Sequence, residues 1–276
     1  ANEKETDMKQ ITRVLLLSPA AAAAFAFSPA QAADLSAREI MQRVDDRDDG
    51  DNGTSDLEMI LIDKNGKKRV RKVRNYSKDK GEDRRQIMFF LEPADVKDTA
   101  FLTYDYDAYE ADDDQWLYLP ALHKTKRIAT ADKSGSFMGS DFNYSDMTRR
   151  NLDAYDYKIV KQMKVHGHDT WLIEAKPRSN EEIEETGYKK SLLFVRKDNF
   201  VPVRAVHWVD GGGELKYMDV PRLEKIDGIW VATEMTMTTK KGKVTKHKTI
   251  LRFHNVRFNQ ELSEEMFTLR RLEQGL

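Results

Sequence analysis

The chain has 276 residues, 34% of them charged, and its 46 Lys and Arg against 47 Asp and Glu leave a formal net charge of −1. A near-neutral chain lacks the electrostatic footprint of a nucleic-acid binder, so no nucleic-acid partner is expected. It contains no cysteine, which excludes both a disulfide framework and a cysteine that could carry a lipid anchor.

Residues 1–7 read as an upstream extension and 8–32 as a secretory signal peptide. Met8, Lys9 and Arg13 make a basic start, Val14 to Phe27 an apolar core, and Ala30-Gln31-Ala32 a small-residue cleavage site. That core is shorter than the ~20 residues a membrane-spanning helix needs. The expected product is a free, soluble periplasmic protein, a single domain over residues 33–276.

After the leader, Leu35 to Val44 places apolar residues at 35, 40, 41 and 44 behind Ser36 as an N-cap, which predicts one amphipathic helix. The chain then turns to strands. Alternation and turn signals predict them at 54–63, 67–77, 84–91, 100–107, 115–119, 124–130, 155–163, 170–176, 189–196, 201–209, 214–220, 229–238 and 246–258. Short turns such as Asp63-Lys64-Asn65-Gly66 and Asp227-Gly228 between them imply an antiparallel meander. The unbroken apolar run Ile87 to Leu91 predicts a strand covered on both faces. Residues 263–273 are read as a closing helix. The whole predicts a mainly β, antiparallel, unclosed half-barrel of about 11–13 strands with a few covering helices.

Several constellations invite chemistry and fail. The acidic stretch Asp45 to Gly53 does not fit a calcium loop, because Arg47 or Gly50 occupies loop position three, a ligand position, in the two possible registers; it reads as a solvated turn. Gly135-Ser136-Phe137-Met138-Gly139 places Phe137 where a nucleophile elbow needs serine. His166 and His168 flank Gly167 as a hairpin would require, with no further ligands supplied. No catalytic residue, metal or other cofactor is expected, and the protein is not read as an enzyme. The basic run Lys67, Arg69, Arg71, Lys72 and Arg74 is either an aggregation-resistant edge or a docking surface for anionic head groups or an acidic partner.

Trp116-Leu117-Tyr118-Leu119-Pro120, the basic return 124–130 and the segment Phe137-Met138-Gly139-Ser140-Asp141-Phe142-Asn143-Tyr144-Ser145-Asp146-Met147 closely resemble the LolA-like outer-membrane lipoprotein-sorting family. The branch resembled is the one associated with exporters of the resistance-nodulation-division type. Further matches lie at 57–74 and 200–218. The resemblance implies a periplasmic carrier that holds lipid or lipoprotein acyl chains on an apolar concave face. An inner-membrane exporter would be its donor and an outer-membrane site its acceptor. A periplasmic sensor of lipids or mislocalised lipoproteins is the alternative. Taken with strand alternation, the resemblance nominates Leu57, Met59, Leu61, Leu102, Tyr104, Trp116, Tyr118, Met235 and Met237 as one cavity lining. Phe137, Met138, Gly139 and Phe142 are either a lid over that cavity, hinged at glycine, or a loop packed down by its own aromatics.

Overall fold

A computed structural model describes residues 35–108 and 110–276. The expected extension and signal peptide lie outside the described residues. Among those described, thirteen strands form one antiparallel sheet. They are β1 (Asn52–Asp63), β2 (Lys68–Lys80), β3 (Asp83–Glu92), β4 (Ala100–Asp105), β5 (Asp114–Leu119), β6 (Lys124–Arg127) and β7 (Tyr155–Val165). The remainder are β8 (His168–Pro177), β9 (Tyr188–Arg196), β10 (Pro202–Val209), β11 (Glu214–Ile226), β12 (Ile229–Lys241) and β13 (Val244–Phe258). Three helices accompany them: α1 (Ala37–Asp45), α2 (Asn180–Thr186) and α3 (Leu269–Gln274).

The strand order, β6-β5-β4-β3-β2-β1-β13-β12-β11-β10-β9-β8-β7, is two meanders joined where the first strand pairs with the last. β6 and β7 remain as free edges, so the barrel is unclosed. Hairpin chemistry sets the turns. Between β7 and β8 stand only His166 and Gly167, with φ of 50° and 84°, and between β11 and β12 only Asp227 and Gly228, with φ of 50° and 89°. Two successive left-handed residues are what a tight hairpin following the right-handed strand twist demands. His166 then lies 3.0 Å from Asp219 through Nε2, an ion-pairing position.

Each face of the sheet is covered by a different part of the chain. On the inner face, α1 buries Ala37, Ile40 and Met41 against Ile173, Leu193, Val195 and Ala205 of β8–β10. Its start is the predicted one: Ser36 Oγ accepts from Glu39 N while Glu39 accepts from Ser36 N, a capping box. The rest of the inner face is filled by residues 133–147, described below. On the outer face, Phe267 and Leu272, from the turn before α3 and from α3 itself, pack on Ile87, Phe89 and Leu102. β3 therefore is covered on both sides, with Met88 and Phe90 turned inward. The acidic turn ahead of β1 is tied to the protein through an Arg84–Asp49 ion pair and Arg47 Nη1 donating to Trp230 O at 3.1 Å.

The candidate ligand-binding face

Directly paired residues of neighbouring strands project from the same side of a sheet, so register defines the rows of the inner face. One row runs Arg71, Met59, Leu251, Met235 across β2, β1, β13 and β12. The next runs Leu61, Thr249, Met237, Met218. A third, towards one end, is polar: Asp63, His247, Thr239, Lys216, His207 and Ser191 across β1, β13, β12, β11, β10 and β9. The face is thus an apolar floor bordered by a polar row.

Residues 133–147 form a plug shaped to that division. Ser136 and Asn143 make an isolated bridge, Phe137 N donates to Phe142 O at 2.8 Å, and Tyr144 N donates to Gly135 O at 3.0 Å. At the tip Met138 and Gly139 both have positive φ, 50° and 71°. The backbone there, more than lack of space, calls for glycine at 139, since an added Cβ would meet nothing. The plug's apolar side chains Phe137, Met138, Phe142, Tyr144 and Met147 join Leu57, Met59, Leu61, Val73, Phe90 and Phe101 in one cluster. Phe137 is 1% exposed, with ring centroids 5.0 Å from Phe101 and 5.5 Å from Tyr144.

Its polar side chains meet the polar row. The Asp141 carboxylate, buried, accepts from Thr239 Oγ1 at 2.6 Å and Thr249 Oγ1 at 2.7 Å, and lies 2.6 Å from His247 Nδ1. Asp141 N in turn donates to Thr249 Oγ1 at 2.9 Å. Lys216 Nζ donates to Asn143 Oδ1 at 2.6 Å, and Asn143 Nδ2 donates to Thr186 O at 2.8 Å. Arg71 Nη1 donates to Met138 O, Gln115 Nε2 to Tyr144 O at 2.9 Å, and Tyr188 OH to Asp146 Oδ2 at 2.8 Å. Lys133, 1% exposed, forms an ion pair with Glu185 at 2.6 Å. Burial pushes the Lys216 ammonium below its usual range against the opposing pull of Asp146 and Asp141. Burial, then the charges of Arg150 and Lys216, drives His207 far below an ordinary imidazole, so it is neutral and its Nδ1 lies 2.7 Å from Ser191 Oγ.

Beside the plug, a polar cavity of about 250 Å³ opens between Arg38, Gln42 and Asp45 of α1, Asp105, Arg149 and Arg150, and Glu182 and Glu185 of α2. Burial raises the Asp105 carboxyl to about 6, with Arg149 pulling the other way.

The nominated residues divide between the faces. Leu57, Met59, Leu61, Met235 and Met237 come together on the inner face, whereas Leu102, Tyr104, Trp116 and Tyr118 lie outside, packed with Phe267 and Leu272. One shared lining for all nine is therefore corrected. Phe101 and Leu117 are the apolar inward residues of β4 and β5, beside the polar Thr103 and Gln115. Each strand carries a large apolar residue on either side, so alternation alone does not settle its orientation, and α3 takes the side carrying Leu102 and Trp116. Tyr104 OH reaches the turn before α3, donating to Phe267 O at 2.6 Å. Phe137, Met138 and Phe142 belong to a loop packed onto the inner face, with Gly139 at its tip.

The basic run is sorted in the same way. Lys72 and Arg74 face outward and are paired, Lys72 with Glu92 at 2.9 Å and Arg74 with Asp56 at 2.5 Å. Arg69 and Arg71 face inward, opposite Leu61 and Met59, and Lys67 lies in the turn before β2. The anchors Asp141, Asn143 and Lys216 escaped the sequence reading. The one local signal for them was a buried-looking loop carrying polar residues between aromatics.

The model of a family described as "Uncharacterized protein" matches residues 82–274. A DUF1329 family protein from Desulfovibrio piger is 31% identical over 86% of this chain and 97% of its own, with a TM-score of 0.78. The chain belongs to the DUF1329 family. A putative outer membrane lipoprotein-sorting protein domain from Vibrio parahaemolyticus is also 31% identical, covering 86% of this chain and 98% of that one at a TM-score of 0.77. A LolA superfamily protein from Nitrosomonas europaea shares the fold at 18% identity and a TM-score of 0.65, over 86% of this chain and 99% of that one. The fold of this family member is accordingly LolA-like. The comparison with curated proteins gave no match.

Proposed function

We propose that this protein is a periplasmic carrier that takes up lipid or lipoprotein acyl chains on its inner face when the plug withdraws, and moves them between the inner and outer membranes. In this reading the leader at 8–32 directs export, an inner-membrane exporter of the resistance-nodulation-division type is the donor, and an outer-membrane site is the acceptor. The observation that carries the reading is the plug itself: a single surface segment supplies the side chains that cover an apolar floor rich in Met and Leu. Met59, Met218, Met235 and Met237 give that floor adaptable thioethers, suited to cargo of varied shape. The 31% identical lipoprotein-sorting domain adds support from a relative.

The energetics are compatible with exchange. Burying the five apolar plug side chains, of which Phe137 and Phe142 are fully buried and three partly so, is worth at most roughly 8–15 kcal/mol at ~1.5–3 kcal/mol per full burial, and burying about sixteen acyl methylenes roughly 13 kcal/mol at ~0.8 kcal/mol each. Plug and cargo compete on nearly equal terms, which is what a carrier that must release its load requires.

The absence of cysteine allows a clean test. In the double variant Asp141→Cys/Thr249→Cys, oxidation should lock the plug to β13, since the native side-chain tips are 2.7 Å apart. Reduced protein should bind a fluorescent fatty-acid probe and oxidised protein should not. Equal binding in both states would reject plug withdrawal as the route of uptake. Organic extracts of protein purified from the periplasm, analysed by mass spectrometry, should contain acyl lipids at near-stoichiometric levels; a lipid-free protein that also ignores the probe would reject the carrier itself.

A further inference from the structure

On the proposed carrier reading, we infer that Arg69 and Arg71 form a recognition site for the anionic head of an acyl-chain ligand, at the rim of the inner face. Arg71 is 8% exposed, yet among the described residues it makes no ion pair, and the acceptor it holds is the Met138 carbonyl of the plug. A buried guanidinium partnered by a neutral carbonyl is costly unless an anion can take that place. Arg69, exposed, is the next inward-facing residue of β2, ~7 Å along the strand, and likewise makes no ion pair among the described residues. Burial, then the Arg69 charge, holds the Arg71 guanidinium below its ordinary range, with Asp95 opposing.

The contrast within one strand strengthens the assignment. Lys72 and Arg74, two cations of the same run, each have a carboxylate on the outer face, so the strand's surroundings supply counter-ions where the charges serve the fold alone. Beside the inward pair lie Met59, Leu61 and Leu251, all at most 7% exposed. An acyl chain lying along that floor would bring its head to the two guanidiniums. When the plug leaves, the Met138 carbonyl leaves with it, and a carboxylate or phosphate oxygen would occupy the vacated donor. Binding of the head and displacement of the plug are thereby one exchange, and a neutral amphiphile forgoes it.

The probe is dansyl-labelled undecanoic acid, compared with its methyl ester, which keeps the chain and loses the charge. Wild-type protein should bind the acid at least about tenfold more tightly than the ester, as a charge-assisted guanidinium pair provides. Arg71→Met, which keeps an apolar stem, should abolish that preference, and Arg69→Gln should reduce it about threefold. The outer-face control Lys72→Gln should leave it unchanged. Melting curves accompany each variant; should Arg71→Met fail to fold, the exposed Arg69→Gln decides. Displacement by lysophosphatidylglycerol would assign phosphate-bearing heads as ligands, and its failure would confine the site to carboxylates, either standing with the inference. Equal affinity for acid and ester, or a preference that survives both substitutions, would overturn it while leaving the carrier reading intact. No binding of either probe would remove both.

Discussion

Replacing Asp141 by Ala tests whether the plug is an anchored but separable element. The substitution removes the acceptor of the Thr239 and Thr249 hydroxyls and the His247 contact, from the polar row and the position of β13 next to it. The carboxylate is 1% exposed on its side chain, so little of its interaction is screened by solvent. Removing one partner from a buried charged network costs about 3–5 kcal/mol. If that loss falls on global unfolding, the melting temperature drops by roughly 6–20 °C for a domain of this size, at ~2–4 °C per kcal/mol. If the plug opens on its own, the loss appears first in amide exchange. The Phe137, Ser140 and Tyr144 amides, bonded to Phe142 O, Phe137 O and Gly135 O, lose protection while β12 and β13 keep theirs. Asp141→Asn, which retains one acceptor oxygen, should lose less, about 1–2 kcal/mol. A melting temperature within ~2 °C of wild type together with unchanged plug exchange would refute the anchor.

Two further outcomes follow from the same geometry. Asp105, raised to about 6 by burial, favours its protonated form in the folded state, so its contribution to stability is full below pH ~4 and is lost as pH rises through about 6. The stability difference between wild type and Asp105→Asn, from denaturant midpoints, should therefore shift in favour of wild type as pH falls from 7 to 4, by roughly 3 kcal/mol; a pH-independent difference contradicts the assignment. Gly187 ends α2 at φ 76°, and an added Cβ would lie 3.0 Å from Ser134 Cβ and 3.2 Å from Asn143 Nδ2 of the plug. Gly187→Ala should cost about 1–3 kcal/mol, read as a lower denaturation midpoint and faster plug exchange, and wild-type values for both would show that the plug does not rest on this turn.

The strands were legible because period-two alternation is a local signal, and β3 was legible as a doubly covered strand because Ile87 to Leu91 has no polar break. α1 announced itself through the Ser36 cap and the apolar stripe at 35, 40, 41 and 44. α2 did not: Asn180–Thr186 carries one large apolar residue, Ile183, and so shows no amphipathic stripe, leaving only the Ser179 cap to mark it. The orientation of β4 and β5 depended on where α3 settles, a tertiary fact about a segment more than a hundred residues away.

Least legible was what fixes the plug, because Asp141 meets Thr239, His247 and Thr249 across sequence separations of 98, 106 and 108 residues. Yet those polar contacts are what give the segment one position. Phe137, Met138 and Phe142 would find contacts on a Met- and Leu-rich floor in several registers at similar energy, since apolar attraction is non-directional. A buried carboxylate has no such latitude: moved by one residue along the sheet, Asp141 would leave its own charge and two hydroxyls unsatisfied. The same arrangement makes opening a concerted event. The apolar grip can loosen gradually, but the Asp141 contacts are lost together once the carboxylate leaves the polar row, and water then hydrates both sides. A plug built this way is either seated or withdrawn, and on the proposed carrier reading an acyl chain would meet an inner face that is either closed or clear.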